Sequence, residues 1–250
     1  MIRRLFKSRD GLQLTGILMP PLAKSNTCII LCHGFSADKD ETGNFVELSS
    51  RIVNQGYAVF RFDFRAHGES EGSKEELTIS GEELDLQAAY EFLIKEGYSN
   101  FGIVAASFSA GPASLFLSKR PDDISALVLL YSRLDFKGYI NKTLNNAAVA
   151  EQLERQGSIS YKDFRISKKL VSEMQEIQPV EKLKSLKMPI LFIHGDNDTT
   201  VPYAESAEYA KALNSKLITV HGAGHGLHGE QYLKEAIDAI SNFFGENLEL

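Results

Sequence analysis

Three side chains far apart in the chain, Ser107, Asp198 and His225, are of the types that together turn a hydroxyl into a nucleophile. A serine hydroxyl attacks poorly until a base takes its proton, and an imidazole base needs a carboxylate to fix its tautomer. Ser107 lies in Phe101–Ser114, FGIVAASFSAGPAS. Phe101, Ile103 and Val104 predict a buried strand, and Ala113, Leu115, Phe116 and Leu117 a helix packed on a sheet. Between them Ala105 and Ser109, two residues either side of Ser107, are small enough for a sharp, strained turn. Such a strand–turn–helix layout lifts a serine hydroxyl clear of the sheet and aims helix amides at a developing anion. Asp198 follows the predicted strand Pro189–His194 in HGDNDTTVP, and His225 follows the predicted strand Lys216–His221 in GAGHG. All three therefore fall at strand ends.

Each position has a rival. Ser109 could be the nucleophile in the overlapping pattern S-x-S-x-G, a frame that places Pro112 more comfortably in the first helical turn. That frame, however, puts Ala105 where a larger strand residue packs better, so Ser107 is preferred. Asp196 competes with Asp198. The D-N-D spacing lacks the glycine and distal glutamate of a calcium loop. Among six histidines, His225 alone follows a Gly-Ala-Gly loop after the last strand; His194 and His221 end strands, and His228 is expected to face solvent. No H-E-x-x-H spacing is present, so neither a metal nor a cofactor is expected.

The elements that must position these groups alternate regularly. Arg3–Ser8 and Leu12–Met19 predict a hairpin turned at Asp10-Gly11. Thr27–Cys32 (TCIILC) predicts a strand buried on both faces, and Tyr57–Phe62 and Ser125–Tyr131 further strands. Helices are predicted around Phe45–Val53, behind a capping box of Ser80 and Glu83, at Tyr203–Leu213 and at Tyr232–Phe244. This rhythm predicts an α/β fold with a mostly parallel sheet covered by helices on both faces. It fails between Arg133 and Lys187, a polar, mixed segment with one amphipathic helix over Lys168–Ile177 and a strand pair or loop over Ile159–Ile166. The chain is accordingly divided into a core of residues 1–132 and 188–250 and an insertion, 133–187, expected to cap the C-terminal edge of the sheet, where open α/β sheets bind ligands.

At 250 residues, 43% hydrophobic and 24% charged, the composition is that of one globular domain. A net charge of −6 argues against nucleic acid as a partner. No apolar run approaches a membrane span, and the basic start meets charge too early for a signal peptide. Cys28 and Cys32 share one apolar strand and are read as reduced core thiols, which fits a cytoplasmic protein.

Over nearly its full length the chain resembles the α/β-hydrolases, whose nucleophile, acid and histidine come in this same order. HGFS at His33–Ser36 resembles their oxyanion loop, RAHGES at Arg65–Ser70 their RGHGxS segment, and HGDNDTTVP and GAGHG their acid and histidine loops. Cap and loops are similar to small bacterial carboxylesterases of the cinnamoyl and feruloyl esterase type. The elbow departs from G-x-S-x-G; as A-A-S-F-S it is similar to the acyl-ACP thioesterases (acyltransferases) of bacterial bioluminescence. The resemblance implies an eight-stranded sheet with a cap after the sixth strand. It implies Asp198, four residues before the proline, as the acid, with Asp196 bracing the loop and His33 and His67 bracing theirs. It places the backbone N–H groups of Phe35 and Phe108 in the oxyanion hole, and Gly34 and Phe35 against substrate. The activity implied is hydrolysis of small to medium carboxylic esters through an acyl-enzyme. Alternatives are cleavage or transfer of an acyl thioester by the same triad, or a non-catalytic binding protein. Nothing in the sequence predicts the oligomeric state.

Overall fold

A computed structural model describes residues 1–250. Strands β1 (Ile2–Lys7) and β2 (Gln13–Met19) form an antiparallel hairpin whose turn uses Gly11 at φ 97°, a conformation other residues resist. There follow β3 (Thr27–Cys32), α1 (Asn44–Asn54), β4 (Ala58–Phe62), α2 (Ile79–Lys95), β5 (Asn100–Ala106), α3 (Ala110–Lys119) and β6 (Ala126–Leu130). The next segment holds α4 (Phe136–Leu144), α5 (Ala147–Gln156), the hairpin strands β7 (Ser158–Tyr161) and β8 (Phe164–Ser167), α6 (Lys168–Glu176) and α7 (Pro179–Leu183). The chain closes with β9 (Ile190–Gly195), α8 (Tyr203–Ala212), β10 (Lys216–Val220) and α9 (Glu230–Asn247).

Eight strands form one sheet in the order β1-β2-β4-β3-β5-β6-β9-β10. Both pairings of β2 are antiparallel and every other pairing is parallel. Parallel strands discharge their C-terminal loops at one edge, and this order decides which loops meet. The register pairs Cys32 with Ala105, so the loop after β3 emerges beside the turn after β5. Across β6, the loops after β9 and β10 emerge on the same edge.

Apolar runs, continuous in β6 and broken in β4 only by the buried Arg61, leave β3, β4 and β6 buried on both faces, with α2 and α3 on one side and α1 and α9 on the other. A third apolar cluster sits over the C-terminal edge, where Phe136, Ile140, Phe164, Leu170 and Met174 pack with Phe108. The polar composition of residues 133–187 hides α4 and α5, whose buried faces are only one or two residues wide. Val180 and Leu183 of α7, by contrast, belong to the main core beside α3. No helix is long and apolar enough to cross a membrane.

The capping box expected of Ser80 and Glu83 does not form. Thr78, in an extended conformation, is the cap and accepts from Gly81 N; Ser80 lies inside the helix, its N–H bound by Glu173, and Glu83 pairs with Lys119. Thr78 reaches the first turn from outside it, which Ser80 cannot do.

Candidate active site

Strand β5 ends at Ala106, and a single tight turn, Ser107–Ser109, leads into α3. Ser107 adopts φ 52°, a left-handed conformation that costs a non-glycine residue about 1–2 kcal/mol. The strand pairings of Ala105 and Ala106, and a bond from Arg133 N to Ser107 O at 3.0 Å, hold it there. The hydroxyl rises from the sheet edge to lie 3.1 Å from His225 Nε2. Ser109 is turned the other way: its buried hydroxyl faces the carbonyls of Cys32 and Ala106 at 2.9 and 2.8 Å.

His225 Nδ1 donates to Asp198 Oδ2 at 2.7 Å. A proton on Nδ1 leaves Nε2 as the acceptor toward Ser107. Asp198 has further support: Oδ1 accepts from Thr200 N and Val201 N at 2.8 and 2.9 Å, and Oδ2 from His194 Nε2 at 3.1 Å. Burial alone would raise its carboxyl, but the donors from His194, His225 and Val201 outweigh it and hold the group well below the usual carboxylate range. The group therefore stays ionised beside the imidazole. Gly195 lets the acid and histidine loops touch, because a Cβ there would lie 2.2 Å from Ala223 O. Asp196 reaches neither Ser107 nor His225. It accepts from His221 Nδ1 and Gly222 N at 2.8 and 2.6 Å, tying β9's loop to β10's end. His228 is exposed.

Two buried histidines support the loop after β3. His33 Nδ1 donates to Gly34 O at 2.8 Å while Nε2 accepts from Phe64 N at 3.0 Å. His67 Nδ1 donates to Arg65 O at 2.8 Å while Nε2 accepts from Ser36 N at 3.3 Å. Each ring is thus used as a neutral donor–acceptor. Burial pushes His33 down to about 4 and, with the neighbouring His33, pushes His67 down to about 3. Gly34 N–H is turned inward to Glu41 Oε2 at 2.7 Å, and a Cβ on Gly34 would lie 3.1 Å from Ser107 Cβ. Phe35 N–H donates to no protein acceptor.

A cavity of about 230 Å³ opens over Ser107 and His225. Phe35, Phe108, Thr200 and Val201 line it from the core loops; Tyr139, Tyr161, Ile166, Leu170 and Met174 close it from the segment between β6 and β9. Gly34 does not line it, so of the two residues expected against substrate only Phe35 does. Phe35 contacts Phe108, Tyr161 and Phe164, with ring centres 5.1, 5.7 and 4.8 Å apart. Two cations also reach the cavity. Arg133 is paired with Glu205 at 3.1 Å and lies over Tyr139, and Lys162 donates to Ser36 Oγ at 2.9 Å.

Residue-type reasoning missed several of these groups. His194 was visible as a strand-end histidine, but its bond to Asp198 depends on how the loop folds back. The apolar side of α6, legible as Leu170 and Met174 four apart, was the available signal for the cavity wall. Nothing marked Arg133, Lys162 or Tyr139.

The sequence profile of the prolyl oligopeptidase family matches residues 49–250. The chain is 24% identical over 241 residues to an acyl transferase of Vibrio harveyi, covering 90% of this chain and 77% of that protein. Its fold is similar to that of Est1E from Butyrivibrio proteoclasticus, solved with ferulic acid bound, at TM-score 0.85 and 22% identity over 98% of each chain. A Pyrococcus furiosus esterase aligns at TM-score 0.75 and 22% identity, covering 99% of this chain and 91% of that one.

Proposed function

This chain belongs to the prolyl oligopeptidase family, and from its site geometry and its likeness to esterases we propose that it is a serine hydrolase cleaving small to medium carboxylic esters through an acyl-enzyme, with Ser107, His225 and Asp198 as its triad. The observation that carries this reading is the unbroken line from Ser107 Oγ to His225 at 3.1 Å and on to Asp198 at 2.7 Å, opening into an apolar cavity. In the first half-reaction, Ser107 Oγ attacks the acyl carbon as His225 Nε2 takes its proton, and Asp198 stabilises the imidazolium. The carbonyl oxygen becomes an anion facing the N–H groups of Phe35 and Phe108, each such donor contributing about 3 kcal/mol. The imidazolium returns its proton to the departing alkoxide, leaving the acyl group on Ser107. Water, deprotonated by His225, attacks the acyl carbon, and the proton returns to Ser107 as the acid leaves. The segment over the cavity acts as a cap; its residues between 135 and 177 supply the apolar wall, whereas α7 packs with the core.

A second reading keeps the triad and makes the substrate an acyl thioester, or the acceptor something other than water. The A-x-S-x-S elbow and the likeness to acyl transferases favour it. The two buried free thiols support a reducing compartment such as the cytoplasm for either reading.

A panel of p-nitrophenyl esters, acyl thioesters and proline-containing peptide amides, with a fluorophosphonate label mapped by mass spectrometry, tests the proposal. Ester turnover with label on Ser107 is the expected result. Faster thioester cleavage moves the assignment to the second reading, and faster amide cleavage to a peptidase. Label on Ser109 instead moves the nucleophile there, and a chain that takes no label at either serine is not a serine hydrolase, a binding role taking its place.

A further inference from the structure

Glu41 is a buried carboxylate that the triad does not use, and it bridges two sides of the site. Its Oε2 accepts from Gly34 N at 2.7 Å, and its Oε1 accepts from the Tyr131 hydroxyl at 3.3 Å. Gly34 immediately precedes Phe35, whose N–H is left free, and the Tyr131 ring packs edge-on against His225 with centres 5.1 Å apart. The backbone around these contacts is strained. Glu41, Thr42 and Tyr131 lie at φ 45°, 54° and 38°, left-handed conformations that persist in non-glycine residues only where surroundings over-determine them. Burial pushes the Glu41 carboxyl up, while the Gly34 amide, the Tyr131 hydroxyl and His225 hold it back.

Resting on the reading of Ser107 as the nucleophile, we propose that Glu41 is a positioning residue of the acyl-transfer step, one that anchors the Gly34 N–H side of the loop so that Phe35 N–H meets the oxyanion. The Gly34 N–H is drawn to the carboxylate behind the loop, while His33 Nδ1 and Ala37 N donate to Gly34 O at 2.8 and 3.2 Å, so Gly34 is held at both ends and the peptide carrying Phe35 N–H is held with it. The Tyr131 bond fixes the carboxylate itself and braces it against the histidine side of the site. What the residue supplies is an acceptor oxygen at a given reach, and its charge is secondary. It touches no reacting atom, so its effect is felt when charge develops on the carbonyl oxygen and not when substrate binds.

Three variants of the full chain separate reach from charge. Glu41→Asp keeps the charge but is one methylene short, Glu41→Met keeps the volume without an acceptor, and Glu41→Gln keeps an oxygen at the same reach. Each is measured for kcat and KM on p-nitrophenyl butyrate, for inhibition by a trifluoromethyl ketone that forms an oxyanion adduct with serine, and for its thermal midpoint. The expected result is a kcat loss of about tenfold to hundredfold in the Asp and Met variants, with KM within about twofold and ketone affinity weakened in step. Glu41→Gln stays within about threefold of the parent on both readouts. Should one of the shortened or apolar variants fail to fold, the other carries the test. Full kcat in the Asp or Met variant, a loss lying in KM, or Glu41→Gln falling as far as the others overturns the inference while leaving Ser107 untouched. A parent protein unlabelled at Ser107 removes the underlying reading, and this inference with it.

Discussion

Replacing Asp198 by asparagine changes one atom and, by the geometry around it, separates catalysis from stability. Oδ1 accepts two backbone N–H groups, from Thr200 and Val201 at 2.8 and 2.9 Å, and an amide oxygen can keep both. The new NH₂ then faces His225 Nδ1 and His194 Nε2, where the carboxylate accepts at 2.7 and 3.1 Å. His194 has another acceptor at hand, Val201 O at 3.1 Å from the same nitrogen, so it needs no rearrangement. His225 has none. Its Nδ1 must become the acceptor, which moves the ring proton to Nε2 and points an N–H at Ser107 Oγ. The base is then in the wrong tautomer, a change worth about 10⁴-fold in kcat in serine hydrolases of this design, or about 5.5 kcal/mol of barrier. Stability falls by only about 1–3 kcal/mol, the difference between charged and neutral hydrogen bonds. The carboxyl is held low in the folded state, so its contribution is complete above the unfolded value near 4 and is lost as pH falls toward the folded one; the asparagine variant lacks that acid sensitivity. The assay is kcat and KM on p-nitrophenyl butyrate at pH 7, with urea unfolding of the same preparation. A kcat loss smaller than about 100-fold, or a protein that unfolds before it loses activity, would refute the tautomer argument.

Two further substitutions follow from the same contacts. Ser109→Ala removes a hydroxyl that serves only the carbonyls of Cys32 and Ala106, so unfolding by urea should shift by about 1 kcal/mol while ester turnover and Ser107 labelling persist; loss of labelling there would transfer the nucleophile to Ser109. His33 is kept neutral in the fold with its value lowered from 6.5 to about 4, so the unfolded chain binds a proton first as pH drops. Stability should therefore be full above pH 6.5 and decline toward pH 4 by about 1.4 kcal/mol per unit for this residue. In His33→Asn the fall in urea stability from pH 7 to pH 5 should shrink by about 2 kcal/mol; an unchanged fall would mean the ring is not buried neutral.

The linear order of residues determines the strands and most of their helices, because an apolar run such as Thr27–Cys32 or a stripe such as Leu170–Met174 needs only local chemistry to declare itself. Small residues around Ser107, Gly195 at the end of β9 and the glycine-rich loop after β10 were legible for the same reason: a strained turn and two touching loops exclude side chains wherever they occur. Local chemistry could also mislead, as at Ser80, where a capping pattern matched but Thr78 stood one step outside the helix. The tertiary structure decided what meets what. That Asp198 rather than Asp196 reaches His225, that His194 shares the same carboxylate, and that Glu41 spans Gly34 and Tyr131 all depend on the strand order bringing distant loops to one edge. The cavity wall is the extreme case. Helices α4 and α5 bury only a residue or two each in a segment of polar composition, and they find their place through Phe136 and Leu153 in a cluster shared with Phe108. Distance along the chain carries no record of such contacts, since the energy that forms them is released only once the sheet has set its register.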